Sequence, residues 1–297
     1  MKELFIPLAD GKRVFARYYH EHKDTRTIVY LHGGPGDNCE NFNYVAHQLA
    51  EKINVLMFDQ RGVLRSDGVG EDEELTVDML VDDCESIRKA LHIPKIILLG
   101  HSYGGLIVLL YAKRYPESTE GIIYENPGWS GVDAMKAILE HHCDYLRSVQ
   151  EDALCDDIHA RMKGITDLCQ LGDILTSIPE NYREIVYYNK PWSPEVLEYC
   201  HFDTITEDQW HNSEIHREKI MVDPINNVNF LGDTAKVSCP QILLRGDHDP
   251  VFPDGFQEWF STHTNGIVKT ISDCGHNIHV DKPQDFCQAV WDFIDGL

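Results

Sequence analysis

Four short runs, Thr27–Leu31, Asn54–Phe58, Lys95–Leu99 and Gly121–Tyr124, are apolar at nearly every position rather than at every second one. A strand of that kind has no face to offer to water, so it belongs in a parallel sheet covered on both sides. The segments between the runs have helical spacing. Phe42–Lys52 is one, Thr76–His92 another, with Leu80, Cys84, Ile87 and Leu91 on one face, and Tyr103–Arg114 a third that is apolar almost all round. Repeated strand–helix units predict an α/β chain with a mostly parallel, doubly wound sheet. Leu4–Leu8 and Val14–Tyr19 read as a hairpin around Asp10-Gly11.

The rhythm stops after residue 127. Residues 128–236 are acidic, rich in histidine and aromatics, and read as helices: Glu140–Val149, Ala153–Leu168, Asn181–Asn189, Pro194–His201 and Glu207–Ile220. It resumes with Gln241–Leu244, Val268–Ile271 and a final helix, Gln284–Ile294. The expected organisation is a core of residues 1–127 and 237–297 with a helical cap, 128–236, inserted between its halves.

At 297 residues and 42% hydrophobic, the chain can bury a large core. Its formal charge of −23 repels phosphate backbones and anionic lipid heads, so neither nucleic acid nor a membrane surface is an expected partner. Such a field keeps a protein soluble, and it also attracts cationic small molecules. The nine cysteines include no Cys-x-x-Cys pair, and free thiols at this density suit a reducing cytoplasm. The first residues run straight into a strand without an apolar signal core. No metal or other cofactor is expected, and oligomeric state is left open.

Gly100-His101-Ser102-Tyr103-Gly104 fits the pattern G-x-S-x-G. The pattern is weak alone, but here it follows an apolar strand directly and opens a helix. Ser102 then sits in a strained turn from which neighbouring side chains must be absent, and Gly100, Gly104 and Gly105 supply the clearance. The turn lifts the hydroxyl towards a helix N-terminus, where N–H groups face developing negative charge. His32-Gly33-Gly34-Pro35-Gly36 follows another strand; it leaves the N–H of Gly34 to form an oxyanion hole with that of Tyr103. A serine nucleophile also needs a base and an orienting carboxylate. Two late loops offer them: Gly246-Asp247-His248-Asp249, and Cys274-Gly275-His276-Asn277-Ile278-His279. Either aspartate and either histidine satisfies the chain order of serine, acid and histidine.

Together with Asp59-Gln60-Arg61-Gly62, these motifs resemble the proline-iminopeptidase-like α/β-hydrolases over residues 1–127 and 237–297. The resemblance implies the α/β-hydrolase fold. It also implies Asp249 as the acid, because Gly246, Asp249 and Pro253 match the family's acid loop, and His276 as the base, from its Gly-His pair. His101 and His279 become packing or pocket-lining residues, and Asp59 a loop anchor.

The substrate is written in the cap. Proline iminopeptidases read a free α-ammonium with cap glutamates, but Asn226-Asn227-Val228-Asn229-Phe230 has none at the comparable stretch; Glu195, Glu198, Glu207, Glu214 or Glu218 can substitute. The organisation is also similar to the serine-dependent macrolide esterases. That similarity implies an ester or lactone of a bulky, cationic small molecule, cleaved through an acyl-enzyme, with Tyr187, Tyr188, Trp192 and Trp210 as walls of its site. Aromatics at helical spacing more often pack a cap against its core. A third reading is a ligand sensor on a hydrolase fold.

Overall fold

The computed structural model describes residues 1–20, 26–183, 186–187 and 191–297. Eight strands form one sheet in the order β1-β2-β4-β3-β5-β6-β7-β8. They are β1 (Lys2–Pro7), β2 (Arg13–Tyr19), β3 (Thr27–Leu31), β4 (Asn54–Phe58), β5 (Ile96–His101), β6 (Thr119–Glu125), β7 (Gln241–Gly246) and β8 (Ile267–Ile271). β1 pairs antiparallel with β2, and β2 with β4; every other pair is parallel. All eight expected strands are present, and β3, β4 and β5 are buried at every residue, as continuous apolar runs require.

Helices cover both faces. Helices α1 (Asn43–Leu49), α2 (Val77–Ala90) and α3 (Tyr103–Arg114) follow in chain order through the first half. Two apolar clusters result. One holds Val29, Leu98 and Ile122 with α2 and α3; the other holds Ile28, Ile97 and Ile123 with α1 and the C-terminal helix. Successive strand residues therefore serve opposite faces, as the pleat dictates.

Between β6 and β7 lie α4 (Gly131–Ser148), α5 (Asp152–Met162), α6 (Leu168–Ser177), α7 (Glu180–Arg183), α8 (Pro194–Tyr199) and α9 (Glu207–Met221). This segment has a small core of its own around Leu139, Cys143, Leu146, Ile158, Leu171 and Ile174. Two expectations need correction. The helix at Glu140–Val149 starts earlier, at Gly131, because Ser130 caps it by accepting from the N–H of Asp133 at 3.3 Å. The helix at Ala153–Leu168 ends early, at Met162, since Gly164 takes a positive φ of 79°, and a further helix capped by Asp167 begins at Leu168. The ends of the inserted segment pack on the core: Trp129 stacks on Phe260, and the N–H of Phe230 donates to the carbonyl of Trp129 at 2.8 Å. Much of Asn181–Asn189 lies outside the described residues; the described part shows α7 alone.

The second half closes with α10 (Phe256–His263), which the sequence reading missed, α11 (Ile278–Asp281) and α12 (Pro283–Asp295). The closest approach of helix to sheet lies where α3 begins, since a Cβ on Gly104 would overlap the carbonyl oxygen of Leu31 at the end of β3. Gly104→Ala is therefore expected to lower unfolding stability by about 1–3 kcal/mol, the usual penalty for overpacking, read as a fall in urea midpoint at constant m.

Candidate active site

Ser102 follows the last residue of β5, at the centre of the sheet, and precedes the first residue of α3. Its backbone has φ 51° and ψ −121°, a conformation that L-residues seldom adopt. Hydrogen bonds on both sides hold the turn. The Ser102 N–H donates to the carbonyl of Glu125 at 2.9 Å, and the Ser102 carbonyl accepts from Gly105 at 2.8 Å and Gly128 at 2.7 Å.

The glycine loop after β3 lies against this turn. A Cβ on Gly33 would stand 2.8 Å from the Cβ of Ser102, and Gly34, with φ 106°, adopts a conformation suited to glycine. Gly34, Ser102 and Tyr103 line the same cavity. His32 anchors the loop from below. Its Nε2 accepts from the Gln60 N–H at 3.0 Å, and burial pushes its pKa down to about 4, so the ring is neutral.

The two late loops converge on the same end of the sheet. His276 Nδ1 lies 2.9 Å from Asp249 Oδ1, with the Asp249 side chain fully buried. Burial is the largest influence on His276 and disfavours its cation, but the charge and hydrogen bond of Asp249 outweigh it and raise the pKa. Asp247 is exposed; its Oδ1 accepts from the Cys274 N–H at 3.1 Å. His279 is turned away, fully buried, with Nδ1 2.8 Å from Glu125 Oε1. Asp249 and His276, the pair that the resemblance implies, thus face each other, whereas Asp247 and His279 have other partners.

Glu125 was missed in the sequence. The available signal was an acid closing the apolar run Gly121–Tyr124 of β6. Burial pushes its pKa up most strongly, yet the adjoining His279 and His101 bring it below the ordinary value. The His101 ring lies 4.9 Å from that of His276, and burial drives its pKa down to about 3. Asp59 anchors its surroundings, accepting from the N–H of Cys39 at 3.2 Å and from Arg65 Nε at 2.8 Å.

The cavity beside Ser102 measures about 110 Å³ and is walled by Pro35, Ala134, Met135, Ile138, Leu168, Met221 and Val251. Among the described residues, the one side chain with a polar group that lines it apart from Ser102 is Tyr103, whose hydroxyl donates to Asn226 Oδ1 at 2.8 Å. Glu195, Glu198, Glu207, Glu214 and Glu218 are all exposed and none lines it. The aromatic wall is not there either. Trp192 lies 5.9 Å from Phe202, ring to ring, Trp210 stacks on Phe202 at 6.2 Å, and neither these nor Tyr187 lines the cavity. Tyr188 lies outside the described residues.

Residues 26–143 match the α/β-hydrolase fold family. A proline iminopeptidase from Heyndrickxia coagulans is 21% identical, with 99% of each chain covered. The proline iminopeptidase structure from Mycobacterium smegmatis superposes with a TM-score of 0.74 at 19% identity, over 99% of this chain and 98% of that one. An esterase from Exiguobacterium antarcticum superposes with a TM-score of 0.66 at 18% identity, over 99% and 100%.

The chain has the α/β-hydrolase fold and is similar along its length to proline iminopeptidases.

Among the described residues of this hydrolase, two groups bring three potential metal ligands within 4.8 Å of one another. One is Cys143, Cys155 and His159 in the inserted segment; the other is His101, Glu125 and His279 beneath the site. No helix among the described residues is long and apolar enough to cross a membrane.

The buried histidines fix an acid response. His32, His101 and His216 bind protons in the folded state only near pH 4, 3 and 3, against about 6.5 when unfolded. Between those values the unfolded chain holds more protons, so their contribution is intact above pH 6.5 and lost as pH falls towards the folded values. Urea unfolding from pH 7 to 5 should show stability falling, by up to about 1.4 kcal/mol per pH unit for each histidine. His216→Gln should flatten that slope by one proton's share.

Proposed function

We propose that this protein is a serine hydrolase that cleaves a carboxylic ester or lactone through an acyl-enzyme, with a compact apolar group of the substrate seated beside Ser102. The observation that carries the reading is the small, uncharged, aliphatic cavity into which the Ser102 turn opens. In this mechanism His276 takes the Ser102 proton, while Asp249 orients the ring and stabilises its cation. The alkoxide attacks the carbonyl carbon. The oxyanion is received by the N–H groups of Gly34 and Tyr103, each donor contributing about 2.7–4 kcal/mol by comparison with measured cases. His276 then protonates the leaving group, and water, deprotonated by the same ring, clears the acyl-enzyme.

A site for an α-ammonium needs a carboxylate within reach, and among the described residues none lines this cavity. At about 110 Å³ it is also smaller than the roughly 300–1,000 Å³ typical of pockets for drug-sized ligands, which argues against burying a macrolactone there. The second reading is aminopeptidase action on N-terminal proline. Similarity to a proline iminopeptidase along the full chain supports it, and a pyrrolidine ring is compact and largely apolar.

Turnover of p-nitrophenyl acetate and butyrate against proline-p-nitroanilide separates the readings, and fast cleavage of the anilide alone would overturn the first. Ser102→Ala should abolish the acetyl burst; a burst that survives removes Ser102 as nucleophile.

The base must be neutral to act, so kcat/KM should fall as pH drops through the raised pKa of His276. Asp249→Asn should cut kcat by about four orders of magnitude and move that acid limb to lower pH, because the cation loses its carboxylate partner.

A further inference from the structure

The loops carrying His276 and Asp249 follow neighbouring parallel strands and are joined backbone to backbone, the His248 N–H donating to the Cys274 carbonyl at 2.9 Å. A buried side chain adds a second tie nearer the two catalytic candidates. Asn126, the residue after β6, stands between them. It is fully buried and has φ 42°, the left-handed region that asparagine tolerates better than most residues. Its side chain makes three hydrogen bonds. Oδ1 accepts from the N–H of Gly246, which opens the acid loop, at 3.0 Å. Nδ2 donates to the carbonyls of Gly275 at 3.1 Å and His276 at 2.8 Å. The partners decide the amide's orientation, since an N–H can only donate and a carbonyl can only accept.

The backbone around Asn126 completes the connection. Its own N–H donates to the carbonyl of Leu244 on β7 at 3.0 Å, and the neighbouring Glu125 carbonyl accepts from Ser102 at 2.9 Å. His101 Nε2 lies 3.2 Å from the His276 carbonyl, a further tie to the same loop. One two-residue stretch thus touches the nucleophile turn, the acid loop and the base loop.

We propose that Asn126 is a positioning residue that holds the acid and base loops in register through its buried side-chain amide. The inference rests on the Ser102–His276–Asp249 reading. An asparagine is suited to the place because the site offers one donor and two acceptors, which the amide matches without leaving a group unpaired. Aspartate has the same shape but presents acceptors to two carbonyls. Glycine accepts the backbone angle and makes none of the bonds.

The test compares Asn126→Asp and Asn126→Gly with the unaltered enzyme, using p-nitrophenyl acetate and counting active sites with a fluorophosphonate. The expected result is an acylation rate constant at least tenfold lower per titrated site, with KM changed less than twofold. The acid limb of kcat/KM should also move to lower pH, because loosening the loops weakens the hold of Asp249 on His276; a loss of stability alone moves neither quantity. Wild-type acylation per titrated site with an unmoved acid limb overturns the proposal. Failure of both variants to yield folded protein also counts against it, because Asn126 would then serve folding rather than alignment. A burst retained in Ser102→Ala would instead remove the triad reading itself, whatever the Asn126 variants do.

Discussion

The left-handed turn at Ser102 sets the terms for the surrounding structure. To lift a side chain out of a parallel strand and start a helix in the next residue, the chain must bring backbone against backbone with nothing between. Gly104 meets the end of β3, and Gly33 meets Ser102 itself, so the helix start and the glycine loop are pinned to one place. Ser102 also makes backbone hydrogen bonds to Glu125, Gly105 and Gly128. A strained residue persists only where its surroundings over-determine it, and these contacts do so. Because β5 lies at the middle of the sheet, loops after β3, β6, β7 and β8 can all reach the turn.

Buried charge is used around this turn to fix loops. Asp59 holds Arg65, Arg65 also pairs with Glu40, and Glu40 pairs with Arg17 at 2.8 Å. Glu40 reaches the inserted segment as well, accepting from the N–H of His201 at 3.2 Å. Beneath the site, Glu125 and His279 form a second buried pair. Pairs of this kind contribute little net stability, because desolvation offsets attraction, but removing one member leaves a costly unpaired charge. Their effect is to make alternative loop arrangements unfavourable.

The inserted segment is fastened to the core close to the site. Ser213 Oγ on α9 accepts from the N–H of Leu64 at 3.1 Å, His216 Nδ1 donates to the Arg61 carbonyl at 2.7 Å, and Tyr103 is tied to Asn226. The cavity beside Ser102 therefore has walls from both parts, with Met135 and Ile138 on α4 and Met221 at the end of α9. The aromatic residues of this segment that resembled a ligand wall pack on one another instead, as Trp192, Phe202 and Trp210 do.

Much of the sheet was legible because doubly buried strands leave a one-dimensional mark: nearly every residue is apolar, so β3, β4 and β5 could be read without knowing their neighbours. The Ser102 turn was legible for a related reason, since close backbone approach demands glycine at fixed offsets. The residues alone left two candidates each for acid and base, because both loops carry the right chemistry twice, and only the family resemblance pointed to Asp249 and His276. Only folding turned Asp249 and His276 towards each other, left Asp247 exposed and buried His279 on Glu125. The roles of Glu125 and Asn126 and the character of the cavity depend on partners up to 154 residues away in the chain. Local sequence therefore determined the strands and the Ser102 turn, whose demands fall on neighbouring residues. The tertiary structure decided which side chains share a site and what adjoins it, because those are matters of distance between segments with no common local signal.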